Sequence, residues 1–279
     1  MPPLERIADL HSHPSFKALL LQGRGRDPGR TAWDEVTPPI NMSAFDIFKS
    51  QSNLRQLHAG KVHLVVCALY GLERAFTRSN ILDLLFRISK PMDGPFFRDI
   101  RKGRHGYRDL MQMDLDALQA FPNDPADGSR AVRVLEHIGQ YKPASGDVHV
   151  VLAAEGGHNF YGYRNGKDDT DWDTIRTNLQ YFKQPGSPRL FYLTPTHLAR
   201  NVLSNHCYGV KGIRDHEFFP NGHGLTPMGL AFVKEALDRS NGRRRILIDV
   251  KHMSLQARIE FYRYRKEFHA GEQLPIRCV

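Results

Sequence analysis

Apolar residues along this chain gather in short continuous runs, separated by stretches in which they recur every three or four positions. The runs at 61–70, 147–155, 189–194 and 245–250 have apolar residues on both faces, as strands inside a parallel sheet require. A shorter run, Ile7-Ala8-Asp9-Leu10, leads into His11-Ser12-His13-Pro14, and a last one occupies 274–279. Helical spacing predicts helices over 43–59, 73–90, 107–121, 129–141, 172–183, 226–240 and 254–269. Ser43, Thr226 and Ser254 stand as N-caps, Pro227 fits the first helical position, and Gly60 stops a helix. Loops are expected at 32–41, at the basic stretch 91–106, at the turn-rich 122–128, at 162–171 and at 199–224.

Strands alternating with helical crossovers predict an α/β fold with a parallel sheet. The first strand is not followed by Gly-x-Gly-x-x-Gly, which favours a (β/α)8, TIM-like barrel over a dinucleotide-binding fold. About six of the eight β/α units of such a barrel are expected, in one domain over 1–279. A six-stranded parallel barrel is not a standard closure, and the 274–279 run has no helix after it. The barrel is therefore expected to be incomplete at its C-terminal end.

Composition narrows the setting. With 279 residues, 41% hydrophobic and 25% charged, the chain is long enough for one large globular domain. It has no apolar run of the roughly 18–20 residues that span a bilayer. Residues 1–6 lack the basic-then-apolar pattern of a signal peptide. The three cysteines, Cys67, Cys207 and Cys278, are far apart and odd in number, so a reducing, cytoplasmic setting is expected. The net charge of +9 is scattered over predicted loops and helix faces without interleaved stacking aromatics. Neither nucleic acid nor a membrane is an expected partner.

The polar residues of interest sit at one place in the pattern. His11 and His13, Glu155, His197 and His252 each lie at or just past the C-terminal end of an apolar run. In a parallel barrel these ends converge on one mouth, where active sites lie. In a strand, alternate side chains share a face, so His11 and His13 point the same way and could ligate one metal. Among fourteen histidines one such pair could be plain surface. Repetition at four strand ends is what favours a metal site.

Several motifs then coincide: Asp9-Leu-His11-Ser-His13, Glu155-Gly-Gly-His158, Tyr192-Leu-Thr-Pro-Thr-His197, and Gly224-Leu-Thr-Pro-Met-Gly229 leading into Asp249-Val-Lys-His252-Met-Ser254. In order and spacing the chain resembles the membrane (renal) dipeptidase family of the metal-dependent amidohydrolase superfamily. The resemblance implies a TIM-like barrel that hydrolyses small peptide-like amide bonds, most simply dipeptides. It implies two divalent ions, zinc in the first instance. His11 and His13 would bind one, His252 the other, and Glu155 would bridge them. His197 would contact the substrate's scissile carbonyl or its oxyanion. Such a pair acidifies a shared water until a bridging hydroxide forms near neutral pH. From the residues themselves, Asp9, His158 and Asp249 read either as supports for the ligands from behind or as hydrogen-bonding and packing groups within the barrel.

The chain also departs from the family pattern. Aspartate is usual where His13 stands, so the site carries one negative charge fewer. The family's next metal histidine, a substrate-binding arginine and a catalytic aspartate would all fall beyond residue 279, leaving the second metal site incomplete. Lys251 neighbours His252, and strict alternation would point it away from the mouth. His206, Cys207, His216 and His223 fit no structural zinc spacing and read as loop residues lining the mouth. Three further readings stay open: amidohydrolase chemistry on a lactone, the same chemistry on another amide, and a barrel that binds without turnover. The expected partners are a small dipeptide-like substrate and, as a homodimer, a second copy of the chain.

Overall fold

The computed structural model describes residues 6–22, 30–37, 49–89, 93–209 and 216–272. In chain order the elements are β1 (Ile7–Ser12), α1 (Phe16–Gln22), α2 (Leu54–Ala59), β2 (Val62–Leu69), α3 (Arg74–Arg78), α4 (Asn80–Ser89), α5 (Gly94–Arg101), α6 (Tyr107–Gln119), β3 (Asn123–Asp124), β4 (Asp127–Val134), β5 (Val148–Ala154), β6 (Gly162–Arg164), β7 (Lys167–Asp169), α7 (Trp172–Tyr181), β8 (Leu190–Leu193), α8 (Pro227–Leu237), β9 (Leu247–Ile248) and α9 (Leu255–Phe268). The fold is mixed α/β with a mostly parallel sheet, compatible with part of a TIM-like barrel. No helix among the described residues is long and apolar enough to cross a membrane. The chain divides into two compact units: Met1–His105 with Asp109–Leu152, and Gly106–Arg108 with Ala153–Val279.

In the first unit the strands run in the order β1-β2-β5-β4-β3. β1 stands at the end of that order, with Ile7 and Leu10 40% and 51% exposed. The β1–β2 register steps from Asp9 opposite Val65 to Ser12 opposite Cys67, so between these two pairs β1 carries one residue more than its partner. Such a bulge re-aims side chains, and here it falls on the segment that holds His11. The Asp9 carboxylate accepts the His11 backbone N–H at 3.0 Å and braces the bulge.

Behind these strand ends lies a fully buried carboxylate. Asp114 of α6 accepts from Ser15 Oγ at 2.7 Å and from the Tyr70 backbone N–H at 3.1 Å, tying the segments after β1 and β2 to one helix. Burial pushes its carboxyl up to about 6 from 3.8, against the pull of Ser15, the His13 charge and the Tyr70 amide. Below pH 3.8 the group is neutral whether folded or unfolded. Between 3.8 and about 6 the unfolded chain releases a proton that the folded chain keeps, so stability falls as pH rises. Above that window the loss is complete, on the order of 3 kcal/mol. Urea unfolding of wild type and Asp114→Asn at pH 4 and pH 7 should show the variant gaining on wild type as pH rises. An unchanged difference would refute the assignment.

Several elements depart from the sequence pattern. The helix expected over 129–141 is instead β4, paired in parallel with β5 through Val132 opposite Val148 and Val134 opposite Val150, followed by a short 3-10 turn. Val132, Leu135 and Ile138 mimic helical spacing, but Ile138 is 69% exposed, so that face was never a core stripe. The single helix expected over 73–90 breaks at Ser79, which is extended (φ −66°, ψ 125°), into α3 and α4. The irregular stretch 91–106 contains α5, capped by Asp93 accepting from Phe96 N–H, with Pro95 in its first turn. Of the helix expected over 43–59, α2 begins only after Asn53, whose side chain completes a capping box with Gln56. Residues 43–48, with Ser43, lie outside the described residues, as do 274–279 and Cys278.

In the second unit β8 and β9 pair in parallel, Tyr192 opposite Leu247 and Leu193 opposite Ile248. Thr194 N–H donates to the Ala154 carbonyl at 3.0 Å. The stretch 162–171, expected as loop, forms the hairpin β6–β7. Its turn is Asn165-Gly166, with φ of 51° and 77°, the left-handed pair that a two-residue hairpin needs. Thr226 caps α8 by accepting the Gly229 N–H at 2.9 Å, and Ser254 caps α9 through Ala257 N–H at 3.2 Å. At the far end of α8 the buried ammonium of Lys183 donates to the carbonyls of Glu235, Ala236 and Asp238. A cation on the last carbonyls of a helix also opposes the negative end of its dipole.

Candidate metal centre

The second unit gathers three donors at its strand ends. β5 closes at Ala154, and Glu155 follows with only 2% exposure. Gly156 then takes φ +99°, a conformation that L side chains rarely adopt, and a Cβ there would collide with the His158 ring. A Cβ on Gly157 would meet the Leu203 side chain and the Pro195 carbonyl. The two glycines let the chain turn sharply under Glu155, and Asn159 Nδ2 fastens the Glu155 carbonyl at 2.8 Å.

His197 comes from the segment after β8 and is 7% exposed. Asn201 organises this segment, with Nδ2 on the Pro195 carbonyl at 3.2 Å and Oδ1 accepting from Leu203 and Ser204 N–H. His252 comes from the turn after β9. Asp249 Oδ1 accepts Lys251 N–H at 2.9 Å, His252 adopts φ +65°, and its carbonyl accepts Cys207 N–H at 2.7 Å. A non-glycine residue held in the left-handed region costs of order 1–3 kcal/mol, and neighbouring bonds must hold it there.

The side chains converge. His252 Nε2 lies 3.1 Å from Glu155 Oε1, and His197 Nε2 lies 3.7 Å from Glu155 Oε2. The two imidazole rings meet edge to face at 4.6 Å. One donor atom from each of the three residues lies within 4.8 Å of the others. Burial pushes the His252 imidazolium below its usual range, against the pull of Glu155, with the charges of His197 and Lys251 acting in the same direction as burial. The ring is therefore neutral at pH 7, the form that ligates a metal. A buried carboxylate and two imidazoles are a donor set that zinc and other borderline divalent ions accept, so the residues present fit such an ion.

Lys251 belongs to the same cluster, contrary to strict alternation: its Nζ is 3.1 Å from Glu155 Oε1. The alternation rule fails because β9 ends at Ile248. Lys251 and His252 sit in a turn, where adjacent side chains can face one centre. Asp249, two residues before the lysine amide it accepts, is the signal in the sequence that the strand is already over.

The other candidate residues have the following places. In the first unit His11 and His13 are neighbours, with ring centroids 5.0 Å apart. His13 Nδ1 is 2.7 Å from the Ala68 carbonyl. A carbonyl only accepts, so Nδ1 carries a proton, which leaves Nε2 as the ring atom that can face a ligand. Asp9 acts on this pair through the His11 backbone, and Asp249 acts on its own turn in the second unit. His158 is buried with its ring edge to face on Tyr107 at 4.8 Å. His206 addresses the Phe218 carbonyl at 3.1 Å, and exposed His216 pairs with Glu217 at 2.9 Å. Among the described residues, no donor group of three or more includes His206, Cys207, His216 or His223.

Fold and donor set thus define a class: an α/β protein with a mostly parallel sheet and a histidine–glutamate group able to hold a divalent ion beyond its strands. A solved structure, that of the probable dipeptidase PvdM from Pseudomonas aeruginosa, is similar at a TM-score of 0.51 and 15% sequence identity. The match covers 91% of this chain and 48% of that one, so the chain spans about half the length of the protein it resembles. No protein-family model matches the chain, and no curated protein does.

Proposed function

We propose that the chain is a metal-dependent hydrolase of small peptide-like amides, most simply a dipeptidase built on a TIM-like barrel. The observation that carries this reading is the convergence of Glu155, His197 and His252 within 4.8 Å. The fold likeness to a probable dipeptidase supports it at the level of architecture. A bound divalent ion would supply Lewis acidity and a water acidified towards neutral pH.

The chain's own residues would do the rest. Glu155 and His252 would hold the ion, with His252 kept neutral by burial. His197, 3.7 Å from Glu155 and packed on the His252 ring, would donate to the carbonyl oxygen as it gains negative charge. His11 and His13 would supply a second pair of imidazole donors, with the tautomer of His13 set by the Ala68 carbonyl. Asp9, His158 and Asp249 would hold backbone and rings in place rather than touch substrate.

Elemental analysis of the purified chain, together with dipeptide hydrolysis before and after chelation, tests the reading. One to two equivalents of zinc and turnover that vanishes with chelator and returns with metal are expected. A chain free of metal under zinc excess, or turnover indifferent to chelation, would overturn it.

A further inference from the structure

The structure sets a lysine where a metal-binding carboxylate should be open. Glu155 Oε1 is addressed at 3.1 Å by His252 Nε2 and at the same distance by Lys251 Nζ. The opposite oxygen, Oε2, faces His197 at the longer 3.7 Å. The arrangement is built in by the backbone: the Asp249 carboxylate bonds the Lys251 amide, and His252 is held left-handed by the Cys207 N–H on its carbonyl. Together they aim two consecutive side chains at one oxygen. The Lys251 side chain is 24% exposed and Glu155 only 3%, so the lysine has a route to water that the carboxylate lacks.

We propose that Lys251 is a built-in competitor for the metal position at Glu155: its ammonium occupies Oε1, and a divalent ion binds there only as the lysine swings out. The inference rests on the metal-centre reading above and adds a regulation to it. Physically, a buried carboxylate needs a cation, and the ammonium provides one from within the chain. A second cation arriving at the same oxygen meets a like charge beside it. Affinity for the ion is then lower than the donors alone would give, and metal release leaves a neutralised carboxylate rather than a bare one.

The test is zinc titration of the full chain by calorimetry, with chelator competition for tight binding, in wild type, Lys251→Met and Lys251→Arg. Lys251→Met is expected to bind zinc at least about tenfold more tightly, and Lys251→Arg to stay near wild type, because like-charge competition is removed in one and kept in the other. If the methionine variant fails to fold, Lys251→Gln serves in its place. Thermal unfolding gives a second readout: zinc should raise the Tm of the neutral variant by more than it raises that of wild type. Wild-type binding with equal or weaker affinity in the neutral variants would overturn the competitor role and leave the metal centre standing. No zinc binding by any of the chains would overturn both.

Discussion

Glu155→Gln is expected to abolish dipeptide hydrolysis, lowering kcat/KM by at least about three orders of magnitude, or about 4 kcal/mol of transition-state stabilisation. Glutamine keeps the shape of the side chain and one accepting oxygen, but removes the negative charge on which His252, His197 and Lys251 converge. Zinc affinity should fall by more than the roughly 10- to 100-fold that the loss of a supporting partner costs a metal site, because a direct donor is lost. The fold should survive, since the Lys251 side chain is 24% exposed and its ammonium can turn to water. The check is a steady-state assay with excess zinc, beside far-ultraviolet circular dichroism. Activity within tenfold of wild type would remove Glu155 from the chemistry.

The second large effect falls on stability. A Cβ on Gly229 would sit on the Leu203 carbonyl oxygen, which is backbone and cannot rotate aside. Gly229 lies in the first turn of α8, where its N–H is already held by Thr226 Oγ1. Thr226 in turn donates its own N–H to Leu203 O at 3.0 Å and its hydroxyl to Val202 O at 2.7 Å. The helix start is therefore bonded flush against the segment that carries His197. The Leu203 side chain also reaches Gly157, so this one residue packs against two glycines, by its backbone at Gly229 and by its side chain at Gly157. Gly229→Ala should cost about 4 kcal/mol or more and lower Tm by about 10 °C, in the class of overpacking against fixed backbone. A thermal melt within about 2 °C of wild type would show that α8 can slide away at little cost.

These two residues mark what could be read from the chain and what could not. Glu155, His197 and His252 were legible because each follows an apolar run, and in a parallel sheet strand ends are where side chains gather. The caps at Thr226 and Ser254 were legible because capping chemistry is local. Gly229 stood in a recognisable motif, but its reason, the approach of the Leu203 carbonyl, is a long-range contact with no local signature. The place of Lys251 is hidden in the sequence because the apolar run 245–250 continues two residues beyond the end of β9, and alternation does not hold where there is no strand. β4 escapes a local reading because Val132 and Leu135 are spaced as a helix would space them, while the partner that makes Val132 to Val134 a strand, β5, lies further along the chain. The hairpin at Asn165-Gly166 carried a clear local signal that the polar character of its flanks obscured.

The end position of β1 in its sheet bears on how the protein behaves in bulk. A strand at the end of the order of described strands, with Ile7 and Leu10 open to water, is a template for another strand. Opposing this is the net charge of +9, which repels neighbouring copies over a distance set by ionic strength. That reach is about 30 Å at 10 mM salt and about 8 Å at 150 mM. Dilute buffer thus keeps the edge strands apart, while concentrated salt removes the long-range repulsion and strengthens the attraction between the exposed aliphatic side chains. For this chain the usual remedy for charge-driven clumping, more salt, is the condition that brings the sticky edges together.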